Sequence, residues 1–327
     1  MNGKTDNCFD AIRWILAFSL LCFHFSRACD EPLFWPITGK EIVEGFFILS
    51  GFLTYHSFCI KSNIKLYFKK RIKRILPAYT FTIVCCIIIG ILFTNLPIKD
   101  FFKSPETLYY IFANITFANF IHPTLPEVFT NQKIPVINAS LWTMKIEILF
   151  YLLLPLIILL IKRFKPLVTL ITCYILSAGY DLVFIYLYRI TGNDIYETLR
   201  HQIGGQFIFF FSGMIIYQLF NFIMRYKIII IIGSSILFIA SYFTIYLRYI
   251  EPLCYASILI IIAYSLTPLN KFSRLPQLTY EIYLLHFPIF QSLIALNMLH
   301  YGFFFTFILG ILLTFLLAYS GKYIFKW

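Results

Sequence analysis

Long apolar stretches alternate with short polar connections along most of the chain. Ten of these stretches are long enough for a helix to cross a bilayer, which takes about 20 residues. They lie near residues 10–29, 42–60, 77–95, 139–161, 167–188, 204–224, 228–247, 253–269, 277–298 and 302–320. The pattern predicts an all-α integral membrane protein, a bundle of about ten transmembrane helices, with residues 1–327 forming a single transmembrane domain.

The segment from Lys61 to Leu76 has a different pattern. Ile64, Phe68 and Ile72 recur at helical spacing, while most other positions are Lys or Arg. This arrangement predicts a basic amphipathic helix on the cytoplasmic membrane surface, after which Pro77 begins the next span. The longest connection, residues 96–138, shows no clear period, and we expect it to cover the outer mouth of a cavity.

Composition supports a membrane protein, and the placement of charge predicts its orientation. Hydrophobic residues make up 60% of the chain and charged residues 13%, whereas soluble domains have about 25% charged residues. The net charge of +12 therefore indicates topology and not a nucleic-acid partner. The side that contains both termini carries about twice as many Lys and Arg as the other, which predicts cytoplasmic termini. The eight cysteines show no metal-ligand spacing, so we expect core residues and no metal.

Arg13 and His24 are the first candidates for chemistry, because ionisable groups at membrane depth are costly and usually functional. They are eleven positions apart in the first apolar stretch. On a helix they share one face and lie roughly 16 Å apart along the axis. A neutral imidazole can take a proton from a hydroxyl, so His24 is a candidate general base. The alternative is a histidine that is hydrogen-bonded between helices.

Glu147 is the candidate partner of His24. The fourth span is predicted to enter from outside, which places Glu147 about two helical turns below that surface, at a depth similar to that of His24. A carboxylate beside an imidazole fixes its tautomer and stabilises the imidazolium formed in proton transfer. The alternative is a structural ion pair, but Lys145 lies on the far face of the same helix.

Further candidates lie in three other segments. Arg71 and Arg74 share a helix face, and guanidinium groups suit phosphate; attraction to anionic lipid is the alternative. Ser50 is expected to line a cavity in the second span, whereas the adjacent Gly51 is expected to mark close helix packing. In the ninth span Tyr283 and His286 share a face, and His286 is either a core residue or a cavity lining.

The segments that hold these residues resemble the acyltransferase 3 family, membrane proteins that O-acylate carbohydrates of the bacterial envelope. They occur in the family's order along most of the chain. The matching segments are Phe9–Arg13 through His24, Glu44–Phe52, Arg71–Pro77, Ser140–Glu147 with Tyr151 and Pro155, and Tyr280–His286.

The resemblance implies a transmembrane acyltransferase of the bacterial cytoplasmic membrane. Its donor would be cytoplasmic acyl-CoA, with acetyl-CoA the expected form, and its acceptor an envelope polysaccharide or lipid-linked sugar. By this resemblance Arg13, Arg71 and Arg74 bind the donor, and His24 with Glu147 serves the reaction. The residues expected to bind the substrates are Ser50, Trp142, Thr143, Tyr283 and His286.

Two other functions remain open at the level of the sequence. A secondary transporter could use His24 and Glu147 as a proton relay for a carbohydrate or lipid-linked sugar. That function accounts for the intramembrane charges but not for the basic segment before Pro77. A non-catalytic membrane scaffold is the second alternative. Direct transfer and a route through an acyl-enzyme are equally compatible with the sequence.

Overall fold

The computed structural model describes residues 7–31, 35, 37–60 and 63–325, and within these ranges every regular element is a helix. In the described part of the chain, four 3₁₀ segments connect the α-helices, at Leu141–Thr143, Ile245–Leu247, Thr267–Arg274 and Met298–Tyr301. The α-helices are α1 Phe9–Cys29, α2 Gly39–Ile60, α3 Ile64–Phe93, α4 Ile98–Lys103, α5 Pro105–Ile115, α6 Met144–Arg163, α7 Pro166–Thr191, α8 Asp194–Arg200, α9 Ile203–Gln218, α10 Phe220–Arg225, α11 Lys227–Ser241, α12 Glu251–Ser265, α13 Thr279–Ala295 and α14 Phe303–Phe325.

Every predicted apolar stretch overlaps an α-helix, but the stretch 204–224 is divided between α9 and α10, and the stretch 228–247 extends beyond the end of α11. Among the described residues, six helices are long and apolar enough to cross a membrane: α1, α2, α3, α6 with its preceding 3₁₀ turn, α7 and α14. A seventh candidate is the pair formed by α12 and the segment Thr267–Arg274, which meet at a bend of 82°. The all-helical membrane class is therefore confirmed, whereas the count of ten spans stays a prediction.

The helix boundary expected at Pro77 is wrong. Helix α3 runs without a break from Ile64 to Phe93 and includes Pro77 in its interior. From Ile64 onward, the basic amphipathic segment and the apolar segment that follows are thus one helix, while Lys61 lies outside the described residues. Proline lacks an amide hydrogen but has a φ angle compatible with a helix, so it removes one helical hydrogen bond without having to end the helix. The sequence pattern does not distinguish these two outcomes.

The connection between α3 and α6 is more regular than expected. It contains two short helices, α4 and α5, joined at Ser104. The side chain of Ser104 accepts a hydrogen bond from the amide of Glu106, and Pro105 occupies the first helical position. This is the usual chemistry of a helix start, because proline has no amide to leave unpaired there. The remainder, up to the 3₁₀ turn at Leu141, is irregular.

Residue contacts group the chain into two compact units. The first comprises the described residues within 1–16, 40–68 and 146–275, and the second comprises the described residues within 17–39, 69–145 and 276–327. Helices α1, α3 and α6 each contribute residues to both units. In the first unit α9 packs against α7 and α12, and α12 packs against α11. In the second unit α13 packs against α14.

Two glycines allow a close crossing of α2 and α9 in the first unit. A Cβ atom on Gly51 of α2 would clash with the carbonyl oxygen of Phe210 on α9, and one on Gly213 of α9 would clash with the carbonyl oxygen of Ile48 on α2. The two backbones therefore approach each other at reciprocal glycines. Small residues allow this approach in membrane helices, where packing replaces the hydrophobic effect as the driving force. The prediction of close packing at Gly51 is confirmed.

We expect Gly51→Ala to destabilise the protein by about 1–3 kcal/mol, because the added methyl group must separate α2 from α9. The measurement is the thermal unfolding midpoint of the purified protein in detergent. Gly179→Ala in α7 is the matched control, since nothing lies within 4 Å of a Cβ atom at Gly179. Equal midpoints for the two variants would contradict the close crossing.

Candidate functional site

A pair of histidines lies at the centre of the second unit. His24 on α1 and His286 on α13 face each other with 2.7 Å between His24 Nδ1 and His286 Nε2. Their rings are nearly parallel, at an interplanar angle of 13°, and His286 is completely buried. The Nδ1 atom of His286 lies 2.9 Å from the carbonyl oxygen of Ile282, one helical turn earlier. The Nδ1 atom of His24 is thus in contact with a second imidazole.

The hydroxyl group of Ser140 lies beside this pair. Its Oγ atom is 3.5 Å from His24 Nδ1 and 3.5 Å from His286 Nε2. Ser140 is 1% exposed and precedes the 3₁₀ turn that leads into α6. Three polar side chains from three separate chain segments therefore meet at one buried point of the second unit.

Proline chemistry holds Ser140 in this place. Pro288 lies inside α13 and has no amide hydrogen, so the carbonyl group of Leu284 loses its helical donor. The side-chain amide of Asn138 replaces it, with Nδ2 at 2.7 Å from that carbonyl oxygen. The Oδ1 atom of Asn138 accepts a hydrogen bond of 3.0 Å from the amide of Ser140. One fully buried asparagine thus joins the turn at Ser140 to the helix that carries His286.

Thr143 and Tyr283 extend the polar cluster. Thr143 Oγ1 donates to the carbonyl oxygen of Ser140 at 3.1 Å and lies 2.6 Å from the hydroxyl of Tyr283. Either hydroxyl can be the donor in this short contact. Trp142 lies in the same 3₁₀ turn and is partly buried.

Ser50 and Glu147 lie in the first unit, in a chain of hydroxyl contacts. Ser50 Oγ donates to the hydroxyl of Tyr151 at 3.3 Å, and Tyr151 donates to Glu147 Oε1 at 2.6 Å. A second proline is involved here. Pro155 inside α6 deprives the carbonyl group of Tyr151 of its helical donor, and the hydroxyl of Tyr67 supplies one at 3.1 Å. The predicted pairing of Glu147 with His24 stays a prediction.

The three candidate donor-binding arginines lie near the starts of two helices. Arg13 Nη1 forms an ion pair of 2.9 Å with Asp10 Oδ1, one turn earlier on α1. Arg71 and Arg74 lie on the basic part of α3, where Arg74 is exposed and Arg71 partly exposed. Lys145 has its ammonium group 3.3 Å from the ring centroid of Phe120 in the second unit.

Other charged residues described in the first unit form ionic clusters. Lys40 Nζ lies 2.8 Å from Glu251 Oε1 and 3.7 Å from Glu44 Oε1, so Glu44 is part of an ion-pair cluster at the start of α2.

In the second cluster, Asp181 of α7 binds two arginines through its separate oxygens, with distances of 3.3 Å to Arg200 and 3.1 Å to Arg248. Tyr249 donates a hydrogen bond of 2.7 Å to the same carboxylate. The pKa of Tyr249 is raised, mainly because the hydroxyl is desolvated by burial and to a lesser extent because of this hydrogen bond.

Sequence reasoning found the two histidines but missed several residues that bond to or lie beside the candidate site residues. His24, Thr143, Tyr283 and His286 were expected at the site and do form one cluster. Ser140 and Asn138, together with Tyr151 and Tyr67 in the first unit, were not assigned roles. A usable signal was present, since each proline inside an apolar helix requires a donor for the carbonyl group four residues earlier.

Comparisons with known proteins agree with the helical membrane architecture. The acyltransferase domain of the acyltransferase 3 family matches residues 6–323. O-acetyltransferase OatA of Staphylococcus aureus is 25% identical over 187 residues, which cover 57% of this chain and 30% of that protein. An O-acetyl transferase of Shigella phage Sf6 is 26% identical over 203 residues, covering 57% of this chain and 59% of the phage protein. No solved structure matches this chain.

Six apolar helices together with this family match define a multi-pass membrane protein. The chain belongs to the acyltransferase 3 family, because the match covers nearly all of it. It spans about a third of the length of the staphylococcal relative and somewhat more than half of the phage relative. These matches favour acyl transfer over the transporter alternative.

We expect Asn138→Ala to destabilise the protein by about 1–3 kcal/mol, because it leaves the carbonyl of Leu284 and the amide of Ser140 buried and unpaired. Pro288→Ala restores a helical amide that can bond to the Leu284 carbonyl. The double variant should therefore recover part of the loss. The measurement is a double-mutant cycle of thermal unfolding midpoints, with Asn131→Ala at an exposed asparagine as the control. If the effects of the two substitutions on the unfolding midpoint are strictly additive, Asn138 does not replace the hydrogen-bond donor that Pro288 removes.

Proposed function

We propose that this protein is a membrane-bound O-acyltransferase. It moves an acyl group, in our proposal acetyl, from cytoplasmic acyl-CoA to a hydroxyl group of a cell-envelope or exported carbohydrate. The main support is the buried cluster of His24, Ser140 and His286 in a chain that belongs to an acyltransferase family. The names of the two relatives, both O-acetyl transferases, support oxygen as the acceptor atom and acetyl as the group.

In this proposal His24 is the general base. It takes the proton of the acceptor hydroxyl while the hydroxyl oxygen attacks the thioester carbonyl. A carbon–oxygen bond forms, the carbon–sulfur bond breaks, and the departing CoA thiolate receives the proton from the imidazolium. Proton transfer of this kind typically contributes 10²–10⁴-fold to a rate. No metal or additional cofactor takes part in this proposal, since a thioester is already an activated acyl group.

Three arginines are proposed to bind the donor. Arg71 and Arg74 are one turn apart on α3 and present guanidinium groups that match phosphate oxygens. Arg13 would lie at the cytoplasmic entrance, on the same helix as His24 and about 16 Å from it along the axis. A thioester arm that follows this helix would bring the acyl group from the phosphates towards the imidazole. The support for this route is that Arg13 lies on the same helix as His24, while Arg71 and Arg74 lie on the basic part of α3.

The membrane topology completes the proposal. We place the protein in the bacterial cytoplasmic membrane with ten spans, both termini in the cytoplasm and the basic part of α3 on the inner face. The distribution of Lys and Arg supports this orientation. Ser50, Trp142, Thr143 and Tyr283 are proposed to contact the substrates, and Glu147 is proposed to assist the reaction.

We expect His24→Ala to abolish acetyl transfer while the protein still inserts and folds. The assay uses protein in liposomes, radiolabelled acetyl-CoA and the envelope carbohydrate fraction of cells that lack the gene. It measures both labelled carbohydrate and free CoA thiol. His300→Ala, at an exposed histidine, is the control and should keep wild-type rates. Near-normal transfer by His24→Ala, or movement of carbohydrate without thiol release, would exclude the proposed reaction.

We expect replacement of Arg71 and Arg74 by glutamine to raise KM for acetyl-CoA by about tenfold or more, because each change removes charged donors to phosphate. The KM for the carbohydrate should change much less. Lys69→Gln with Lys70→Gln removes the same charge from exposed positions of the same helix and serves as the control. A larger effect on the carbohydrate KM than on the acetyl-CoA KM would place the donor elsewhere.

A further inference from the structure

The hydrogen bonds of His286 determine which of its nitrogens carries hydrogen. The carbonyl oxygen of Ile282 can only accept a hydrogen bond, and it lies 2.9 Å from His286 Nδ1. Nδ1 must therefore be the protonated nitrogen of His286. A neutral imidazole has one N–H group, so His286 Nε2 has a lone pair and acts as an acceptor.

The same reasoning then fixes the tautomer of His24. Its Nδ1 atom lies 2.7 Å from the lone pair of His286 Nε2, so His24 Nδ1 must carry the hydrogen and donate it. This leaves the lone pair of His24 on Nε2, the ring atom opposite the contact. The reverse arrangement would place the unprotonated Nδ1 of His286 against the oxygen of Ile282, with two acceptors 2.9 Å apart and no hydrogen between them.

We propose that His286 is a positioning residue that fixes His24 in the Nδ1–H tautomer and makes Nε2 the reactive base. This inference rests on the proposed function, in which His24 accepts the acceptor's proton. It assigns to an imidazole on α13 the orienting task that the sequence assigns to Glu147. Complete burial of His286 and the backbone anchor at Ile282 keep the direction of the hydrogen bond the same in every turnover.

The proton balance follows directly from this arrangement. The hydroxyl hydrogen of the carbohydrate moves to His24 Nε2, while Nδ1–H remains bonded to His286 Nε2. The imidazolium formed in this way is stabilised by its hydrogen bond to a neutral acceptor. When the carbon–sulfur bond breaks, Nε2 returns the proton to the CoA thiolate, and both histidines regain their starting tautomers. His286 gains and loses no proton in the cycle.

Ser140 lies beside the hydrogen bond between the histidines rather than within it. Its oxygen is 3.5 Å from both bonded nitrogens, at the limit of a hydrogen bond. The shorter distance of 2.7 Å between the two imidazoles makes their direct contact the dominant one. The positioning task therefore falls to His286, and Ser140→Ala should change the rate less than loss of the imidazole does.

Two substitutions of His286 distinguish a role in positioning His24 from a role in filling space between the helices. His286→Gln keeps an acceptor oxygen near the position of Nε2, whereas His286→Leu fills the space without an acceptor. We expect His286→Leu to lower kcat by about 10²-fold or more while KM for acetyl-CoA stays within about twofold. His286→Gln should restore most of the lost kcat. The assay is acetyl transfer from acetyl-CoA to the envelope carbohydrate fraction, with His300→Gln as the control.

The tautomer itself can be measured in the unmodified protein. Solid-state NMR of full-length protein with ¹⁵N-labelled histidine distinguishes protonated from unprotonated ring nitrogens, and comparison with His24→Asn identifies the signals of His24. We expect Nδ1 protonated and Nε2 unprotonated. A resting His24 with hydrogen on Nε2 overturns the inference, even where a His286 variant fails to fold.

The outcomes also separate this inference from the proposed function. Wild-type kcat in His286→Leu, or no recovery in His286→Gln, overturns the positioning role while an inactive His24→Ala still supports the reaction. Normal transfer by His24→Ala overturns the reaction itself. Loss of kcat in His286→Leu, recovery in His286→Gln and the expected tautomer together support the positioning role.

Discussion

A backbone carbonyl group inside an apolar helix bundle must have a hydrogen-bond donor, and this requirement organises much of the structure. Pro288 and Pro155 each remove the helical donor of the carbonyl group four residues earlier. In both cases a side chain from another segment supplies the replacement, Asn138 for the carbonyl of Leu284 and Tyr67 for that of Tyr151. A local feature of one helix therefore specifies a contact with a distant segment of the same unit.

These replacement contacts also place the candidate functional groups. Asn138 uses its amide hydrogen on α13 and its oxygen on the amide of Ser140, which fixes the serine hydroxyl beside the two histidines. In the first unit the anchored Tyr151 is the residue whose hydroxyl bonds to Glu147. Within each unit, the same hydrogen-bond network thus pairs the backbone carbonyl groups and positions the polar side chains. This is expected where water is not present to supply donors.

The sequence predicted the helices and many candidate residues, but it did not predict which of these residues contact each other. Apolar length located the helices, and helical spacing predicted that Arg13 and His24 share one face of α1. Periodicity gives the depth of a residue on its own helix but not the rotation of the helix it faces. The pairing of His24 with His286, 262 positions away, could therefore not be read from spacing. Pro77 shows the same limit, because proline is compatible with both a helix start and a helix interior.

The choice of a second imidazole beside His24 has an energetic reason. A buried carboxylate would be charged in the resting state, and its desolvation costs several kcal/mol unless a cation offsets it. A neutral histidine accepts the same hydrogen bond without a resting charge. The pair can therefore be buried in an apolar site without the desolvation cost of a charged group. In the proposed reaction, charge develops on His24 during proton transfer and disappears when the thiolate is protonated. The proposal therefore confines the penalty of burying a charge to the reaction step, where the thiolate that forms nearby offsets it.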